Sequence, residues 1–134
     1  MFTLLFHTFK NQEERRAFGG SDFLELQFCQ LKRGTSLKSI VETDNIDCWR
    51  DDSLYVCGDD WNVFYKHYKN IFNNGVYPNL KCGEIDWAGI TYYSPEQVDE
   101  MIKIIEKNKP EDYKIISEWL NKAKDFNGVY VLGF

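Results

Sequence analysis

The residues of this 134-residue chain best suited to chemistry are acidic, and they fall in two places. In GEIDW, Glu84 and Asp86 stand two apart. On a β-strand that spacing turns both carboxylates to one face, as a metal-dependent nuclease or a glycosidase presents its acids. A nuclease of that kind also wants a lysine on the next strand, whereas Lys81 precedes the pair. A polar strand face is the plainer account, and a small metal-dependent hydrolase using Glu84 and Asp86 is the alternative.

The second place is VETDNIDCWRDDSLYVCGDDW, residues 41–61. Glu42, Asp44, Asp47, Asp51, Asp52, Asp59 and Asp60 face one base, Arg50, so the segment sums to −6 while the whole chain is only −5. The remainder, with 14 acids and 15 bases, is nearly neutral. A calcium loop needs acids at alternate positions, glycine at the sixth and glutamate at the twelfth, and DNIDCWRDDSLY lacks that register.

Other chemistries find little to work with. Cys29, Cys48, Cys57 and Cys82 form no CxxC pair, and His7 and His67 make no ligand cluster with them, so neither structural zinc nor any other metal or cofactor is expected and the thiols read as reduced and mostly buried. His7 lies in a strand-like run and His67 on the polar side of an aromatic helix, which suggests no nucleophile–base pair. The GG at 19–20 matches neither a P-loop nor a dinucleotide fingerprint. Nucleic acid is disfavoured because phosphate binding needs clustered Lys and Arg, and the densest charge run here is negative.

A negative surface carrying Trp49 and Trp61 suits a basic protein instead. Complementary charge speeds encounter, and an aromatic residue within the patch can supply a desolvated anchor. The expected contacts are Asp44, Asp47, Asp51, Asp52 and Asp59, with Trp49 as anchor, the cluster acting as a decoy for the partner's phosphate-binding groove. The competing account is a solvated face in which Asp59 and Asp60 serve as helix caps.

These residues must be positioned by one domain of mixed α and β type, spanning residues 1–134. Aromatics make up 16% of the chain, enough for a dense core. FTLLFHTF (2–9) and SDFLELQFCQL (21–31) read as strands pairing across the polar turn NQEERRAFGG, the second half-buried with Leu24, Leu26 and Phe28 inward. Thr35 or Ser36 can cap a short helix, and SLYVC (53–57) is a strand. Asp60 is expected to cap a helix striped by Trp61, Phe64, Tyr65, Tyr68 and Phe72 and closed by Gly75.

GEIDWAGITYY (83–93) reads as a strand. Ser94, Pro95 and Gln97 then announce a helix buried through Val98, Met101, Ile102 and Ile105. Pro110 opens another, lined inwardly by Tyr113, Ile116, Trp119, Leu120 and Ala123. GVYVLGF, apolar on both faces, belongs inside the sheet. The expected architecture is α+β, a mostly antiparallel sheet with helices packed on one face.

The succession WAGITYYSPEQVDEMIKIIEKN, EWLNKA and GVYVLGF resembles the C-terminal half of small bacterial immunity proteins, which protect a cell from contact-dependent or other polymorphic toxins. The resemblance implies a non-enzymatic inhibitor that binds one toxin domain and occludes its active site; many such toxins are nucleases with basic clefts. A phage or regulatory adaptor binding a basic host protein by the same face is a further reading. With neither an export signal at MFTLLFHTFK nor a run of roughly 20 apolar residues, the chain is expected to be cytoplasmic and to make no use of a membrane.

Overall fold

The computed structural model describes residues 4–19 and 22–133. Six strands, β1 (Phe23–Phe28), β2 (Leu54–Cys57), β3 (Gly75–Val76), β4 (Cys82–Gly83), β5 (Ile90–Tyr93) and β6 (Val129–Leu132), form one antiparallel sheet in the order β2-β1-β6-β5-β3-β4. The helices are α1 (Gln12–Gly19), α2 (Leu37–Ile40), α3 (Trp61–Tyr68), α4 (Pro95–Asn108) and α5 (Tyr113–Lys122). The fold is α+β.

The C-terminal part follows from local signals. Ser94 Oγ accepts from the Gln97 amide at 3.3 Å while the Gln97 side chain accepts from the Ser94 amide at 2.8 Å, so two of the free donors at the start of α4 are satisfied. The helix ends where Lys109 takes a left-handed conformation. Its stripe of Val98, Met101, Ile102 and Ile105 is buried, as are Ile116, Trp119 and Leu120 of α5. They meet Leu24, Leu26 and Phe28 of β1 and Val129 and Val131 of β6 in the main core. All four residues of β6 are buried between β1 and β5, as a strand apolar on both faces requires.

Elsewhere the structure departs from sequence expectation. Of the run 2–9, residues 2 and 3 lie outside the described residues; the rest does not pair with β1 but forms a single bridge, His7 to Tyr55, along the outer edge of β2. The stretch NQEERRAFGG is not a turn, because it contains α1. Asn11 Oδ1 accepts from the Glu14 amide at 2.9 Å, as an N-cap does, and Glu13 and Glu14 sit favourably at the positive end of the helix.

The Ser36 cap of α2 is present. Asp60 stands at the N-cap of α3 but among the described residues its side chain makes no capping hydrogen bond, and α3 stops at Tyr68. Gly75 belongs to β3, where an added Cβ would meet Thr91 Cγ2 of β5 at 2.0 Å; close strand approach, not helix termination, explains the glycine.

β1 is buried on both faces. Helices α3, α4 and α5 cover one side, while α1, α2 and the segment 46–52 cover the other, so Phe23, Glu25 and Gln27 are enclosed and not merely half-buried. That second face positions the acidic segment.

Candidate acidic interface

Strand alternation turns Glu25 away from the long helices, opposite Tyr55 of β2 and Leu132 of β6, where it is fully buried. A buried carboxylate is tolerable only when its lone pairs are filled. The Trp49 amide donates to Oε1 at 2.7 Å, and the Arg50 amide at 3.0 Å, the Ser53 hydroxyl at 2.6 Å and the Gln27 amide group at 3.2 Å donate to Oε2. Gln27 also donates to the Asp47 carbonyl at 2.5 Å, and the Tyr55 hydroxyl to the Arg50 carbonyl at 2.5 Å. Burial first, and the Glu25 charge second, push the Tyr55 phenol far above its ordinary range, so it stays a donor.

These bonds fasten the backbone of residues 47–53 over the sheet. Presenting successive amides inward requires Trp49 to adopt φ 65°, a left-handed conformation that costs a non-glycine residue about 1–3 kcal/mol and persists because the surroundings over-determine it. The indole is held as firmly. It stacks on Tyr55 with centroids 6.1 Å apart and planes 13° from parallel, and the buried Arg15 guanidinium lies 3.8 Å from its centroid. Arg15 Nε donates to Gln12 Oε1 at 2.7 Å, and Gln12 Nε2 to Asp51 Oδ1 at 2.9 Å, linking α1 to the loop. On the far side, Trp119 of α5 donates to the Asp52 carbonyl at 2.9 Å.

The backbone is therefore anchored inward while the carboxylates point out. Asp44, in a 3-10 turn at Thr43–Asn45, and Asp47, Asp51, Asp52 and Asp59 are exposed. The Asp47 side chain is 89% exposed and only 3.7 Å from the Arg50 guanidinium, an ion pair too open to neutralise it. The group is divided, however: Asp47, Asp51 and Asp52 precede β2 whereas Asp59 and Asp60 follow it, and four residues of strand separate the two sets by about 14 Å. Trp49 is half-buried, with its ring engaged by Arg15 and Tyr55.

Glu84 and Asp86 do not share a strand face. Both lie between β4 and β5, Glu84 in a bend and Asp86 just before a turn at 87–88. Asp86 Oδ1 accepts from the Ala88 amide at 3.0 Å, shaping a tight turn, and Glu84 lies 3.5 Å from the Tyr65 hydroxyl. Among the described residues no group of three or more His, Cys, Asp or Glu could hold a metal ion. The four cysteines are free, but only Cys29 is buried; Cys48 and Cys82 are exposed. Cys48 sits within the acidic loop, where burial and then the charges of Glu25 and Asp47 push its thiol up, away from the reactive thiolate.

The residues that sequence reasoning missed are Glu25, Arg15 and Gln12. The available signal for Glu25 was a carboxylate beside Gln27 on one face of an otherwise apolar strand; for Arg15 there was none, since its place is set by the Trp49 ring. Among the described residues no helix is long and apolar enough to cross a membrane. Compared with known proteins, the chain matches no family model, no curated protein and no solved structure.

Proposed function

We propose that this chain is an immunity protein: a non-enzymatic, cytoplasmic inhibitor that binds a cognate toxin domain, a nuclease, and fills its basic active-site cleft with the acidic loop. One observation carries this reading. The exposed carboxylates of Asp47, Asp51 and Asp52 ride on a backbone fastened from beneath by the buried Glu25. Rigid presentation lowers the entropy lost on binding, and concentrated negative charge both accelerates encounter with a basic cleft and mimics the phosphates it normally holds. The resemblance of the C-terminal half to immunity proteins supports the same assignment. Asp44 extends the patch at its near end, Asp59 adds charge beyond β2, and Trp49 holds the loop's shape at the centre.

The test is association with whatever toxin domain the neighbouring gene encodes. Replacing Asp47, Asp51 and Asp52 together by lysine should slow association about tenfold or more and flatten its salt dependence, with the thermal midpoint retained. Unchanged kinetics would overturn the site; no inhibition of that toxin by the native chain would overturn the function. If a basic protein of another kind is bound with the same dependence on these aspartates, the chain is an adaptor using this face, and the immunity reading is overturned.

A further inference from the structure

At the other end of β2, the start of α3 and the turn at 84–89 leave aromatic rings partly open to solvent. Trp61 and Trp87 have centroids 5.5 Å apart at 34°, and Tyr65 lies 5.9 Å from Trp87 at 56°. With Asn62 these rings line a surface cleft of about 330 Å³. The rings are anchored below, where Trp87 meets Phe64 edge-on at 6.2 Å and Trp61 Nε1 donates to the Val56 carbonyl at 3.4 Å. Tyr65 nonetheless stays 37% exposed, which leaves open aromatic surface of the kind that marks binding sites.

The surroundings say what suits it. Asp60 directly precedes Trp61, Asp86 directly precedes Trp87, and the Glu84 carboxylate lies 3.5 Å from the Tyr65 hydroxyl. A cation already lies nearby: Lys69 Nζ is 5.6 Å from the Tyr65 ring centroid. Aromatic faces bordered by carboxylates attract a positive group twice over, by the ring quadrupole and by net charge.

We propose that this cleft receives an arginine side chain of the basic partner protein. A planar guanidinium can lie flat on an indole and donate to Glu84 through a fixed fork, whereas a compact ammonium is a point charge with no stacking plane. The inference rests on the reading of the chain as a ligand of a basic protein. It moves the aromatic anchor from Trp49, whose ring Arg15 already engages, to Trp61 and Trp87.

The test uses the intact protein labelled with ¹⁵N and titrated with acetyl-Arg-Arg-amide, the lysine and citrulline counterparts, and cellobiose. The indole N–H signals of Trp61 and Trp87 should shift saturably with the arginine peptide, less with lysine and not with citrulline, while those of Trp49 and Trp119 stay put. Glu84→Gln should weaken binding severalfold, and Lys69→Met, which removes a competing cation, should tighten it. An unmoved Trp61 and Trp87, an equal response to citrulline, or preference for the sugar would overturn the proposal. Against the toxin domain, Glu84→Gln should speed dissociation severalfold. If it changes nothing while the Asp47, Asp51 and Asp52 reversal slows association, the anchor is wrong and the function stands. If the arginine peptide binds but no toxin inhibition is found, the cleft stands and the function falls.

Discussion

The two faces of the sheet are held by different physics. On the α4–α5 face, Leu24, Leu26 and Phe28 meet Ile116, Trp119 and Leu120 in a contact that is apolar throughout and has no preferred direction. On the opposite face the centre is a carboxylate, Glu25, whose partners are fixed by distance and angle. The first arrangement supplies cohesion and tolerates sliding; the second adds little net stability but dictates where one loop's atoms sit. Together they hold the loop that bears Asp47, Asp51 and Asp52 in place, because apolar packing alone would leave it free to wander.

The largest expected effect lies on the apolar side. Trp119 stacks on Phe28 at 4.2 Å with planes 14° apart, and Trp119→Ala should cost about 3–5 kcal/mol in denaturant unfolding through the cavity it leaves. A loss below the polar-face values that follow would reverse the proposed division of labour.

Glu25→Ala comes next. It strands the Trp49 and Arg50 amides and the Ser53 hydroxyl, and with partial access of water to the loosened loop should cost about 3 kcal/mol. Its distinguishing sign is that amide protection collapses at 47–53 but persists in α4 and α5. Glu25→Gln should cost less, because its one carbonyl oxygen still accepts from part of the donor set. Arg15→Met keeps the aliphatic stem but removes the guanidinium from the Trp49 face, for which about 1–2 kcal/mol is expected, together with altered Trp49 fluorescence.

The smallest effect is a pH dependence. His7 bridges to Tyr55 at the rim of the polar face and rests 4.5 Å from the Phe18 ring, and burial lowers its pKa below 6.5 against the weaker raising influence of Asp60. The unfolded chain therefore binds a proton more readily than the folded one. The contribution of a neutral His7 is complete above about pH 6.5 and is lost as pH falls below it. Thermal midpoints of His7→Phe should decline less than those of the native chain between pH 7 and pH 5; parallel curves would mean His7 carries none of this dependence.

The apolar face was largely legible in the sequence and the polar face was not, for a physical reason. Helix α4 is specified within sixteen residues by Ser94, Pro95, Gln97 and a four-residue stripe, and α5 and β6 likewise carry their burial in their own periodicity. Glu25 carries no such mark. Apart from Gln27 on the same strand, its donors stand at 49, 50 and 53, and only the folded chain brings those to it. Helix α1 was hidden for the same reason, since its inward residue is an arginine that becomes buried against a tryptophan 34 positions away. In GEIDW the local signal existed but pointed elsewhere: the Asp86 side chain closes a turn at Ala88, which interrupts the strand the apolar residues suggest.

For the candidate site, composition located the acids and their exposure but not what fixes them. The tryptophan expected as anchor, Trp49, has its ring engaged by Arg15 and Tyr55, and a second group of partly open rings, Trp61 and Trp87, lies at the far end of β2.

The most direct test of a preformed acidic loop is hydrogen exchange of the Trp49 and Arg50 amides in the free protein. The account predicts exchange as slow as that of the neighbouring β1 and β2 amides, abolished by Glu25→Ala. Exchange of both amides in the native chain at the rate of an open loop would contradict it.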